Sequence, residues 1–283
     1  MKKTIMLTFV SIVGAFLFST TAMAFDDLYT QDTAAVTKAG GIDVGGKILY
    51  KFGKKYYNKD SESADAPDSG SLIHVPLFAR YGIMDKLEAF AVLPIVSISK
   101  IYYQDTLLPD KSGIGDIWLG AKYAVMPDNF LTIRGALDLP TGTDKDGLGN
   151  PGGFGIDVAA MTAKQMDKLG FNGQVGIRWN AEGPDDAGCE KPGLGIYVTA
   201  EGSYTLAEKL DGIFGIEYGM AGDSEFNGVE VKDSGQNLFT LNIGAKYMAM
   251  ETVGVRGDVL IPLAGKHEFA GIGILVGLFI NVQ

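Results

Sequence analysis

Cysteine and histidine are nearly absent from this chain of 283 residues, which has 1 Cys and 2 His. The lone Cys189 cannot close an internal disulfide, and its Gly/Pro/Asp-rich surroundings mark a loop residue rather than a reactive thiol. Two histidines, His74 and His267, leave little material for a hydrolytic triad, and His74 reads as a lining side chain. Basic residues are outnumbered as well, with 24 Lys+Arg against 34 Asp+Glu. That balance argues against nucleic acid as a partner. Gly113-Ile114-Gly115 precedes no helical pattern, so it is no dinucleotide fingerprint. Asp144-Lys145-Asp146-Gly147 lacks the later glutamate of a calcium loop. No cofactor and no metal ligand set is expected.

Long apolar runs are missing beyond the N-terminus, which excludes a membrane-spanning helix of about eighteen or more residues. The one short run, Ile5 to Phe18, follows Lys2-Lys3 and precedes Ala22-Met23-Ala24. Charged, apolar and small-residue regions in that order predict a signal peptide over residues 1–24. Residues 25–39 show no period and read as a periplasmic N-terminal lead-in. The rest, 40–283, reads as one domain.

What the chain has is alternation. From Ser112 to Gly142, Ile117, Leu119, Ala121, Tyr123 and Val125 fall on one face, while Asp116, Gly120 and Lys122 fall on the other. After Met126-Pro127-Asp128-Asn129, Leu131, Ile133, Leu137 and Leu139 alternate with Thr132, Arg134, Ala136 and Asp138. Period two means strands, and the break makes a hairpin. The same reading gives twelve strands, near 40–52, 71–81, 87–98, 112–125, 130–139, 153–163, 170–179, 193–205, 210–220, 235–247, 252–262 and 270–282.

Tight turns recur at Met84, Met126, Met166, Ala207 and Met250, in steps of 42, 40, 41 and 43 residues. A period that regular is one unit used repeatedly. Long polar connections lie at the other strand ends. Short turns at one rim and long loops at the other describe a transmembrane antiparallel up-and-down β-barrel of all-β class. Closing the sheet leaves no backbone edge in lipid. An even strand number puts both termini at the tight-turn rim, in the periplasm of a bacterial outer membrane.

Uninterrupted apolar rows such as Ile272, Ile274, Val276, Leu278 and Ile280 are expected to face lipid. The opposite face carries Asp43, Lys47, Lys51, Arg80, Glu88, Asp116, Lys122, Arg134, Asp138, Asp157, Arg178, Glu201, Glu217, Lys246, Arg256 and Asp258, as many basic as acidic. These are the lumen-lining candidates, either of a water-filled passage or of an ion-pair lattice stabilising a narrow one. Pro94, Pro140 and Pro262 each remove a ladder hydrogen bond, so each marks a strand end or an interruption of the wall.

Ser112-Gly113-Ile114-Gly115-Asp116, Gly120-Ala121-Lys122-Tyr123 and Leu139-Pro140-Thr141-Gly142 resemble the S-G-x-G-D, G-x-K-Y and L-P-T-G signatures of an outer-membrane family. That family is named for the meta-pathway of phenol degradation, and its members are labelled transporters. The resemblance implies a non-enzymatic outer-membrane channel for small solutes, among them aromatic or other hydrophobic compounds. Implied partners are outer-membrane lipid, the solute and the barrel assembly machinery. One departure stands out: such barrels commonly end in an aromatic residue, and this chain ends in Gln283. Rival readings are a barrel enzyme acting on lipid or peptide, with His74 or His267 beside a serine or carboxylate at the rim, and a non-conducting structural or adhesive barrel.

Overall fold

The computed structural model describes residues 33–103, 106–107, 110–142, 153–185 and 188–282. The signal peptide, lead-in residues 25–32, the Asp144–Gly147 turn and Gln283 lie outside the described residues, as does the Cys189 side chain. Twelve antiparallel strands form a closed barrel. They are β1 (Ile42–Tyr57), β2 (Ser63–Met84), β3 (Leu87–Ser99), β4 (Ile117–Ala124), β5 (Thr132–Leu139), β6 (Gly155–Met166), β7 (Leu169–Asn180), β8 (Gly195–Ala207), β9 (Leu210–Ala221), β10 (Gln236–Met250), β11 (Val253–Lys266) and β12 (Ile272–Val282). Each pairs with its neighbours in sequence. Closure is made by β1 on β12, continuously from Ile42↔Val282 to Phe52↔Ile272.

The period-two pattern explains which face points where. On β12, Ile274 is 46% exposed and its neighbour Leu275 is 0% exposed. The same alternation runs round the wall, giving a continuous exposed belt that includes Ile48, Leu77, Leu119, Leu137, Val158, Ile177, Val198, Ile216 and Val259. An apolar surface that encircles the molecule is stable only against an apolar medium. Aromatic residues edge the belt. Tyr81, Tyr123, Tyr204 and Tyr247 lie exposed near the tight turns. Stacked Tyr50 and Phe52, with ring centroids 5.3 Å apart, and Phe154 against Trp179 at 5.8 Å lie toward the other rim. Such girdles sit at membrane–water interfaces.

Glycine has a particular use on the inner face. Gly45, Gly120, Gly176 and Gly254 lie directly across from Phe78, Phe90, Tyr197 and Phe279. In each pair the ring occupies the place that a side chain at the glycine would take. Flat rings over bare backbone fill the lumen wall closely while keeping register.

The strand positions follow the alternation, but their lengths at the long-loop rim do not. β2 covers 22 residues and β1 runs on to Tyr57, so most of the connection expected over Gly53–Gly70 is a projecting hairpin. The connections after β7 and β9 hold four short strands, Gly183–Asp185, Gly188–Lys191, Glu225–Phe226 and Val229–Glu230, joined in one small sheet. Beyond the membrane both strand faces meet water, so no apolar period marks these segments.

Candidate functional site

The interior of the barrel is the candidate site, and the signature motifs form one of its joints. Lys111–Ile114 pairs with β3 from Ile98 to Ile95, and β4 resumes pairing at Trp118↔Val92. Gly115 and Asp116 fill the bulge between them. There the Asp116 Oδ1 accepts the backbone N–H of Thr141 at 3.0 Å and of Gly142 at 2.7 Å. The Thr141 hydroxyl accepts the N–H of Ile117 at 2.9 Å. The S-G-x-G-D and L-P-T-G motifs thus bind each other, and Asp116 ties strand ends together rather than standing in open water.

Most other charged candidates are drawn into networks that cross several strands. Lys122 Nζ lies 2.9 Å from Glu88, and Arg80 is 3.8 Å from the same carboxylate. Arg134 bonds Asp157 at 3.0 Å and donates to the Tyr197 hydroxyl at 2.7 Å, which in turn donates to Asp157. Arg178 pairs with Asp138 and lies 4.6 Å above the Trp118 ring. Arg256 engages Glu201 at 2.6 Å and Asp258 at 2.7 Å. Most of these groups are buried. Buried ions need both a counter-charge and hydrogen bonds, and strong geometry here offsets the cost of desolvation. Tyr197 was not among the expected residues, although Ile196 and Val198 facing lipid place it in the lumen. Its phenol joins a charge network, which a search restricted to ionisable pairs overlooks.

The remaining candidates divide between the two rims. Asp43 accepts from the Thr37 hydroxyl at 2.7 Å and from Asn281. Lys246 lies 5.0 Å over the Phe279 ring, and Arg80 lies 4.8 Å over Phe78. With Lys47, these residues line a cavity of about 730 Å³ near the tight-turn rim. Glu217 is buried on β9, and Lys51 is buried on β1 toward the long-loop rim.

Residues 33–39, the described part of the lead-in, turn back into this end of the lumen. Thr37 donates its N–H to Glu88 Oε2 at 2.7 Å, and its Oγ1 lies 2.7 Å from that same oxygen and from Asp43 Oδ2. Lys122 Nζ donates to the carbonyls of Thr33 at 3.1 Å and Ala35 at 3.0 Å, and the Thr132 hydroxyl to that of Ala34 at 2.7 Å. Ala34 packs with Val92, Trp118, Ala136 and Tyr197. Glu88, Lys122 and Thr132 therefore hold a segment of the chain itself.

The prolines differ in kind. Pro94 lies inside β3, in the gap between the two pairing stretches, where its carbonyl accepts the Gly115 N–H at 2.9 Å. Pro140 follows the end of β5, and Pro262 pairs with Thr240 beside a register shift. Pro76, absent from the sequence expectations, adds a fourth irregularity. Opposite it the β1–β2 pairing skips from Gly46↔Leu77 to Leu49↔His74, because proline has no N–H to donate.

The fold is similar to that of an outer membrane channel from Pseudomonas putida, with a TM-score of 0.75 at 15% identity over 88% of this chain and 97% of that one. The CymD monoaromatic hydrocarbon channel gives 0.46 at 9% identity over 87% of this chain and 89% of that one. The toluene transporter TbuX of Ralstonia pickettii gives 0.46 at 9% over 90% and 92%. The first likeness, at 15% identity, shows the fold alone, and the other two carry no argument. A search of curated protein sequences finds no match. A family model, by contrast, matches residues 68–275, which include both halves of the Asp116 joint, and the chain belongs to the family described as MetA-pathway of phenol degradation.

Proposed function

We propose that the protein is a channel of the bacterial outer membrane that passes small solutes along the barrel axis, with tight turns in the periplasm and long loops outside. One observation carries this reading: a closed wall with an apolar belt outside encloses a charged interior and a cavity of about 730 Å³. Aromatic or other hydrophobic solutes suit it, because Phe78 and Phe279 line that cavity and the family is described by phenol degradation. The role is non-enzymatic: His74 and His267 are each 3% exposed, so neither offers an imidazole to a substrate at the rim. Purified protein in planar bilayers should conduct, and in liposomes it should admit small solutes. Absence of both would overturn the proposal.

A non-conducting barrel is the second reading, favoured by the packing of residues 33–39 and the ion-pair networks inside the lumen. Conductance that stays absent after residues 25–39 are removed would select it.

A further inference from the structure

One stretch of the inner surface carries amide and hydroxyl side chains between its charged ones. Gln174, Thr199, Glu217 and Thr240 are directly opposed in turn across β7, β8, β9 and β10, forming a single row. The next row toward the tight turns reads Asn172, Glu201, Gly215 and Asn242. Gln174 is 5% exposed and Asn242 is 4% exposed. Among the described residues, neither the oxygen nor the nitrogen of the Gln174 amide meets a hydrogen-bond partner, and nor does the Asn242 oxygen. Leaving such groups unsatisfied costs their full desolvation with nothing in return. Folded proteins do not leave them so without something that completes them.

The location says what that is. The cavity at the tight-turn rim reaches Asn172 and Glu201, one rung, or about 7 Å, below the Gln174 row. Half-way round the barrel, β2 and β3 present Phe78, Phe90 and Val92. Above the cavity, hydrocarbon thus lies on one side of the interior and the amide-bearing strands lie on the other. We infer that Gln174 and Asn242 form a hydrogen-bonding subsite for an uncharged solute with an apolar body and a hydroxyl group. The hydroxyl donates its one proton to the Gln174 Oε1 or the Asn242 Oδ1 and accepts from the Gln174 Nε2. This rests on the channel reading for its purpose, but not for its detection.

The test compares benzyl alcohol with benzyl methyl ether, which keeps the ring and the oxygen but has no donor. Each is titrated calorimetrically into the refolded barrel in detergent, with empty micelles as reference. The alcohol should bind about tenfold more tightly, the value of one net hydrogen bond. Gln174→Met and Asn242→Leu should each reduce the preference, and the double variant should erase it. Equal binding of the two probes by the wild-type barrel overturns the inference and leaves water as what completes the amides. A preference that survives in the folded double variant overturns it too. The wild-type comparison stands even where a variant fails to fold. Preference without conductance in bilayers would remove the channel reading and keep the subsite, whereas conductance without preference would do the reverse.

Discussion

Arg134 shows what the lumen charges do singly. Its guanidinium holds Asp157 and the Tyr197 hydroxyl at once, across β5, β6 and β8. Replacing it by methionine leaves a buried carboxylate uncompensated, so Arg134→Met should lower unfolding stability in detergent by about 3–5 kcal/mol. Adding Asp157→Asn to that variant should restore part of the loss, because the orphaned charge is then gone. A double variant no more stable than the single one would mean that packing, not charge, is at stake. The alternation in sequence was enough to put these residues inside. It could not say that each has a partner, since partners lie on distant strands, Tyr197 63 residues from Arg134 and Asn281 238 residues from Asp43.

Among elements, the segment over residues 33–39 and the pairing at the opposite rim carry separate expectations. Deleting residues 25–39 removes the chain that Glu88, Lys122 and Thr132 hold. Single-channel conductance should rise severalfold while thermal stability falls; unchanged conductance would place the narrowest point elsewhere. At the long-loop rim, Glu268 pairs with Tyr57 and anchors the last connection to the β1–β2 hairpin. Burial pushes its carboxyl above the ordinary carboxylate range, against the opposing pull of the Lys51 charge and the Phe269 N–H. Between the ordinary value and the raised one, the folded protein keeps a proton that the unfolded chain has lost. The stability carried by that proton is present at low pH and lost as pH rises through the window. Amide protection at Phe269, corrected for intrinsic exchange, should therefore be higher at pH 5.5 than at pH 8.5. Glu268→Gln should flatten that slope, and an unaltered slope would assign it to another group.

Over the whole molecule, paired lumen charges leave the net charge of −10 to act from outside the networks. A negative field draws cations toward the pore and is screened over about 10 Å at 0.1 M salt. Reversal potentials in bilayers should show a preference for cations that shrinks between 0.1 M and 1 M salt; anion preference would mean that Lys47 and Lys246, in the cavity, dominate instead.

Alternation and turn spacing determined the barrel, its strand number and its inner and outer faces, because each strand's side chains must divide between lipid and lumen with period two. That division is local and can be read along the chain. Three things were decided only by tertiary structure: the binding of Asp116 to Thr141 and Gly142, the return of residues 33–39 into the lumen, and the unfilled amides of Gln174 and Asn242. Each depends on which strands closure brings together and at what height. Period two fixes the face of a residue but leaves its neighbour across the lumen open.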